Sequence, residues 1–331
     1  MMQAGLAGMA GLTMADTAWA GQAQVSRPPL QTPAGTGPVP DEWTQAERLP
    51  LWPRGVPGKG FAPPRRAADM PPTFLNGIAE PDLHVFRPAQ SNGRAVLVIP
   101  GGAYVFVSIR NEGVDVARSL TERGFTVFVL TYRLPGEGWE HRADVPLQDA
   151  QRAMRVIRAR AAQDGFNPAS VLVLGFSAGG HLAASLLTGH DEVLAPPTDA
   201  LDRTSARPLA GGLIYPVIAM AAPYTHALSA ATLLGDRPGP TLVKRRSPAM
   251  HVNARTPPVF LVHALDDPAV PYQNSMMMAE ALTKAGHPPE MHLFAEGGHG
   301  FGTGPINAPA GQWPSLFVLW AERIDAMVME L

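Results

Sequence analysis

The sequence predicts an α/β fold, with a mostly parallel central sheet covered by helices on both faces. Three observations predict it. Short apolar runs such as Ala95-Val96-Leu97-Val98-Ile99 and Val171-Leu172-Val173-Leu174 have the length and β-branched content of strands buried on both sides. Stretches with helical apolar spacing lie between those runs, long enough to carry the chain back for parallel pairing. A chain of 331 residues that is 46% hydrophobic can also fill the interior of one large domain.

The elements follow in order. His84-Val85-Phe86-Arg87 is a short strand and residues 95–99 a fully buried one, ending at Pro100-Gly101-Gly102. Glu112 to Arg123 has helical spacing, with Val114, Val116, Ala117 and Leu120 on one face and Gly124 as the stop. Residues 125–130 form the next buried strand. Leu147 to Ala162 is amphipathic, and its arginines at 152, 155, 158 and 160 are expected largely on the solvent side. The strand from Val171 is followed by an alanine- and leucine-rich helix. Strands are then expected at Gly212–Ile218, Val259–His263 and Glu290–Phe294, and helices at Asn274–Ala285 and Trp313–Met327. No internal repeat is visible.

Ala4 to Ala20 is a small-residue run ending Ala18-Trp19-Ala20, an A-x-A pattern by which residues 1–20 read as an export signal. Its basic start is missing, since the first basic residue is Arg27, so a disordered alanine-rich N-terminus is the competing reading. The run is too short and too interrupted by Gly, Thr and Asp16 to span a membrane. Residues 21–79 are read as a Pro/Gly-rich leader and residues 80–331 as the folded domain. An exported chain would work in the periplasm or outside the cell.

Composition excludes several classes. A formal charge of -2 gives no basic footprint for nucleic acid. The absence of cysteine removes disulfides, thiolate metal sites and a cysteine nucleophile. No HExxH or clustered His and carboxylate spacing suggests a metal, and no cofactor is implied.

Function in parallel sheets gathers at the carboxyl ends of strands, and four such ends carry chemistry here. The buried run at 171–174 leads into Gly175-Phe176-Ser177-Ala178-Gly179, a sharp strand-to-helix turn that lifts a serine hydroxyl clear of the sheet. The turn at Gly101-Gly102-Ala103-Tyr104 leaves backbone N–H groups free. Those of Gly102 and Ala103, with that of Ala178, suit a developing oxyanion, although in isolation a plain tight turn is the better reading of the glycines. Asp266 and Asp267 follow the strand at 259–263, and either can orient a histidine or simply form the turn. His299, among glycines at 297–302, is poorly explained by packing and well explained as a base reaching Ser177. His181, His263 and His292 read as structural. Serine, acid and histidine thus follow different strands, in the chain order of an α/β-hydrolase.

Pro100-Gly101-Gly102-Ala103-Tyr104, Tyr132-Arg133-Leu134-Pro135, Gly175-Phe176-Ser177-Ala178-Gly179-Gly180-His181 and Gly297-Gly298-His299-Gly300-Phe301 resemble bacterial α/β-hydrolases of the acetylxylan esterase-like or feruloyl esterase-like group. Leu51-Trp52-Pro53-x-Gly55-x-Pro57-Gly58 resembles the leader of exported members, and the likeness covers roughly residues 47–325. The hydrolase pattern His-Gly-x-x-Asp-x-x-Val-Pro puts the acid four after the histidine and three before the valine, which from His263 and Val270 selects Asp267 as the acid and leaves Asp266 as a turn residue. One departure is Ala103, where the group has a third glycine.

The resemblance implies a serine esterase with a Ser177, Asp267, His299 triad and an oxyanion hole at Gly102, Ala103 and Ala178, needing no cofactor. The implied substrate is a small or polysaccharide ester, with short acyl groups, chiefly acetyl, on carbohydrate. Tyr104, Trp139 and Tyr224 are aromatic candidates for the cleft mouth, and Tyr104 is the one taken as a substrate contact. A feruloyl or aryl esterase is the alternative. A prolyl-oligopeptidase-type peptidase ranks below both, because residues before 80 cannot build the propeller that gates such enzymes. A non-catalytic scaffold on this fold would be expected to lack a triad member, and none is lacking.

Overall fold

The computed structural model describes residues 35–329; the expected signal at 1–20 and the first part of the leader lie outside the described residues. In chain order the elements are α1 (Asp41–Gln45), β1 (Glu47–Pro50), β2 (Phe74–Leu75), β3 (Asp82–Phe86), β4 (Ala95–Ile99), β5 (Val107–Ser108), α2 (Asp115–Thr121), β6 (Thr126–Leu130), α3 (Val145–Asp164), β7 (Val171–Phe176) and α4 (Ser177–Gly189). They continue with β8 (Gly211–Ile214), α5 (Ala227–Leu234), α6 (Pro240–Arg245), β9 (Val259–Ala264), α7 (Gln273–Lys284), β10 (Glu290–Phe294) and α8 (Trp313–Met329).

Eight strands form one sheet in the order β1-β3-β6-β4-β7-β8-β9-β10. β1 and β3 pair antiparallel at one edge, and every pairing from β6 through to β10 is parallel. This is the α/β-hydrolase fold, with helices around a mostly parallel sheet. Strands β4, β6, β7, β8 and β9 are buried at every position, which is why their sequences are apolar runs and do not alternate. From β4 the chain crosses to β6 on one side; from β7 it continues to β8 on the other. Adjacent β4 and β7 therefore mark the switch point where a cleft opens beyond their carboxyl ends.

Helix α3 shows how local signals set an element. Pro146 sits in its first turn, where a missing N–H costs nothing, and Gly165 closes it in the left-handed region at φ 71°. Its arginines depart from the expected solvent face: Arg152 is only 1% exposed. The cause is cover from two segments outside the helix. Arg152 Nε donates to the Leu51 carbonyl, its guanidinium reaches Asp199 and Asp202, and it lies 5.0 Å over the Trp52 ring.

Three further differences have local causes. The expected strand at 212–218 ends at Ile214, because Tyr215 turns the backbone to φ 39°. The expected helix from Glu112 begins as a π-helical turn, Arg110–Val114, before α2 takes over. The expected leader does not stay outside the domain: residues 47–50 form the edge strand of the sheet.

Leader and core meet at a buried ion pair. Arg133 and Asp149 side chains are both fully buried, 2.8 Å apart. Asp149 also accepts from the Arg133 backbone N–H and from Trp52 Nε1 at 2.7 Å, while Arg133 Nη1 donates to the Pro57 carbonyl. Two motifs quoted for the resemblance, around Trp52 and around Arg133, are thus halves of one contact. Removing one partner's charge strands the other, so Asp149→Asn is expected to lower unfolding free energy by about 3–5 kcal/mol, read from urea denaturation.

Candidate active site

The turn that carries Ser177 is built by close approach. A Cβ on Gly175 would lie 2.3 Å from the Gly179 carbonyl oxygen, and one on Gly179 would lie 2.2 Å from that of Ile99. Neither position admits a side chain. The turn between them forces Ser177 to φ 52°, a left-handed backbone that costs a non-glycine residue about 1–2 kcal/mol. Ala103 (φ 54°), Tyr104 (φ 63°) and Tyr215 (φ 39°) hold similar conformations around the same cleft.

The predicted triad residues come together. Ser177 Oγ lies 2.8 Å from His299 Nε2, and His299 Nδ1 lies 2.7 Å from Asp267 Oδ2. An ionised carboxylate only accepts, so Nδ1 carries the proton and Nε2 is left to accept from the serine hydroxyl. Burial pushes the Asp267 carboxyl up, but hydrogen bonds from His263 and His299 outweigh it and hold the group well below the usual carboxylate range. The Ala269 and Val270 N–H groups donate to its other oxygen, each at 2.9 Å. His263, fully buried, shares its Nε2–H between the Val270 carbonyl at 2.9 Å and Asp267 Oδ2 at 3.4 Å, and accepts from Ser275 at Nδ1. It fixes the turn that presents Asp267. Asp266 takes a different part: its Oδ1 accepts from the Gly298 N–H at 2.8 Å and ties down the loop carrying His299.

The turn after β4 faces Ser177. Its carbonyls point back into the turn: Gly101 O accepts from Ser108, and Gly102 O from Val105 and Phe106. Among the described residues, the N–H groups of Gly102, Ala103 and Ala178 have no acceptor within the chain. Gly102, Ala103 and Ser177 line a cavity of about 330 Å³ together with His299, Phe74, Phe106, Ser108, Asn111, Glu112 and His226. The rings of Phe74 and Phe106 stack at 4.1 Å in its wall. Among the described residues, no arginine or lysine lines this cavity, and no group of His, Asp and Glu could hold a metal.

Tyr104 requires a correction. It is 1% exposed and does not reach the cleft. Its hydroxyl lies 2.7 Å from His181 Nδ1, while His181 Nε2 donates to the Arg246 carbonyl at 2.8 Å. That carbonyl fixes the tautomer, so Tyr104 donates to Nδ1 and anchors the turn after β4 to α4. Burial pushes the His181 pKa down to about 4. Trp139 is also buried, against Phe61 and Arg133, and Tyr224 is half-exposed outside the cavity lining.

Sequence reasoning missed Glu112, Asn111, His226 and the phenylalanine pair. Glu112 falls within a helical pattern that reads as solvent-facing, and His226 follows a loop without periodicity. Only the unusual burial of a carboxylate would have singled out the first, and burial is not legible from one residue.

Comparison with known proteins places these features. The sequence model of the BD-FAE family matches residues 82–282. The chain is 32% identical over 234 residues to an acetylxylan esterase of Xylanibacter ruminicola, covering 70% of this chain and 45% of that protein. It is 36% identical over 205 residues to endo-1,4-beta-xylanase B of Butyrivibrio fibrisolvens, covering 62% of this chain and 32% of that protein. The chain thus spans less than half the length of these curated relatives. A crystal structure of an acetyl ester-xyloside bifunctional hydrolase from Caldicellulosiruptor lactoaceticus superposes with a TM-score of 0.71 at 34% identity, covering 85% of this chain and 97% of that one.

Two predictions follow from the geometry. Asp267→Asn would let His299 adopt the wrong tautomer, and ester turnover is expected to fall on the order of 10³–10⁴-fold. Asp266→Asn leaves an acceptor for Gly298, so its turnover is expected to stay within about tenfold; steady-state kinetics of both variants test the pair. The second concerns pH. His181 is neutral when folded to about pH 4, whereas the unfolded chain binds a proton near the ordinary value of 6.5. Stability is therefore full above pH 6.5 and lost as pH falls toward 4, by up to about 3 kcal/mol from this group. Urea denaturation at pH 7 and pH 5 should show a smaller loss in His181→Asn than in the parent.

Proposed function

This chain belongs to the BD-FAE family of α/β-hydrolases, and on that premise we propose that it is a serine esterase removing short acyl groups, chiefly acetyl, from carbohydrate esters. One observation carries the reading: a hydrogen-bonded Ser177, His299, Asp267 chain opens onto a cavity whose facing wall bears unpartnered N–H groups.

His299 Nε2 takes the Ser177 hydroxyl proton as Oγ attacks the ester carbonyl carbon. Electron density moves to the carbonyl oxygen, where the Gly102, Ala103 and Ala178 N–H groups receive it; losing one such donor typically costs on the order of 10²–10³ in turnover. Asp267 stabilises the imidazolium and keeps its orientation. Collapse of the tetrahedral species breaks the bond to the alcohol, which leaves with the proton from His299. Water then enters and gives a proton to His299 as its oxygen attacks the acyl carbon; the bond to Ser177 Oγ breaks, the acid leaves, and Oγ regains the proton from His299.

Substrate class rests on the cavity and the relatives. A lining without arginine or lysine offers no partner for a charged acyl group, so an uncharged ester suits it. Ser108, Asn111 and His226 supply polar contacts for a hydroxylated alcohol. The acetylxylan esterase and the acetyl ester-xyloside hydrolase among its relatives point to acetyl groups on xylan-type sugars. The stacked Phe74 and Phe106 favour a second reading, an aromatic acyl group such as feruloyl.

Acetylated xylan, an aryl acetate, methyl ferulate and a prolyl-peptide amide, assayed side by side, test both readings. Acetate release is expected, with a loss of at least about 10³-fold in Ser177→Ala. Faster turnover of methyl ferulate than of any acetate would favour the aromatic reading, and amide cleavage without ester turnover would contradict both.

A further inference from the structure

Glu112 is a buried carboxyl group that the acyl-transfer steps do not use. It is 4% exposed, on the π-helical turn Arg110–Val114. Such turns insert one extra residue and recur at functional sites, and here the Val114 N–H closes back to the Ile109 carbonyl at 2.8 Å. The insertion aims two neighbouring side chains toward the cleft. Glu112 Oε2 accepts the Gly101 N–H at 2.7 Å, and Oε1 accepts the Tyr215 hydroxyl at 2.9 Å. Tyr215 in turn accepts the Gly302 N–H at 2.9 Å, and its ring meets His299 edge-on at 5.1 Å. Asn111 Nδ2 donates to the Gly300 carbonyl at 2.9 Å.

From this geometry we infer that Glu112, resting on the esterase reading above, is a positioning residue that locks the oxyanion turn and the histidine loop to each other around Ser177. The π-helical turn touches both sides of the reaction: Gly101 precedes the oxyanion N–H groups, and Gly300 and Gly302 follow the base.

Residue type supports the role. Both partners donate, because Tyr215 already accepts from Gly302, so the side chain must offer two acceptors on two separate atoms. A carboxylate does so and a carboxamide does not. None of its hydrogen bonds comes from an arginine or lysine, and burial raises its pKa, so this carboxyl is an expensive choice for packing alone. There is also no slack. A Cβ on Gly101 would lie 2.8 Å from Ser177 Cβ and 2.9 Å from Glu112 Oε2, so carboxylate, turn and nucleophile are stacked in contact.

The test compares the full chain with Glu112→Gln and Tyr215→Phe on an aryl acetate, with thermal unfolding of each. Positioning predicts kcat lowered by about 10–100-fold, KM within about threefold, and a combined variant no worse than the poorer single one, since both break one chain of contacts. The far-downfield proton NMR signal of the His299 Nδ1–H should also broaden or vanish in each folded variant. Unchanged kcat, or a kcat loss fully recovered by assaying below the lowered unfolding temperature, would overturn the inference. Tyr215→Phe keeps the question answerable if Glu112→Gln does not fold. Should the parent chain lack esterase activity, the functional reading fails by itself; the NMR signal then decides positioning, its loss in the folded variants supporting the inference and its retention overturning it.

Discussion

The contact between the turn after β4 and the first turn of α4 is the constraint on which the site depends. Parallel pairing puts Ile99 opposite Gly175, so the turn at residues 101–104 and the turn at Ser177 leave adjacent strands at one level. Gly179 then lies so close to the Ile99 and Pro100 carbonyls that only hydrogen fits on its α-carbon. With the helix start held there, the chain has one sharp route from Gly175 to Gly179, and Ser177 takes the strained left-handed backbone at its apex. The strain is sustained by the buried strands on either side, whose burial exceeds the cost of one unfavourable residue several times over.

Buried polar groups translate that placement into a working geometry. Tyr104 and His181 join the oxyanion turn to α4 from below, and His181 continues to the Arg246 carbonyl. His263 and the Ala269 and Val270 N–H groups hold the Asp267 turn. Asp266, Asn111 and Tyr215 each hold one glycine of the histidine loop, at Gly298, Gly300 and Gly302. A loop of four glycines would otherwise leave His299 free to wander; three side-chain contacts replace the stiffness that its sequence lacks. Every one of these polar groups is satisfied by a neutral or oppositely charged partner, so the site's rigidity does not rely on exposed ion pairs that salt would screen.

Much of this was legible in the sequence, for physical reasons. Strands buried on both faces must be apolar throughout, so Ala95–Ile99 and Val171–Phe176 announce themselves, and Glu290–Phe294 is bounded by the turns around it. The serine, the acid and the histidine are visible because their turns need glycine or aspartate. What stayed hidden depends on contacts between distant segments. β1 reads Glu-Arg-Leu-Pro, an edge strand with three exposed positions, and carries no strand signal. Arg152 looks like a solvent-facing residue until Leu51 and Asp199 cover it. An aromatic residue beside an oxyanion turn suggests substrate contact, yet the left-handed backbone at Tyr104 points its ring inward, a direction no residue pattern encodes. Glu112 is hidden for the same reason: the π-helical turn rotates it off the solvent face.

The central claim is that Ser177, activated by His299, forms a covalent bond to the acyl carbon. Its most direct test is intact-mass and peptide-mapping mass spectrometry after brief exposure to an aryl phosphonate ester, whose phosphorus mimics the tetrahedral carbon. The account predicts one adduct per chain, located on Ser177, forming at a rate that collapses in His299→Ala. An unmodified chain, or an adduct on another residue with Ser177 intact, would contradict it.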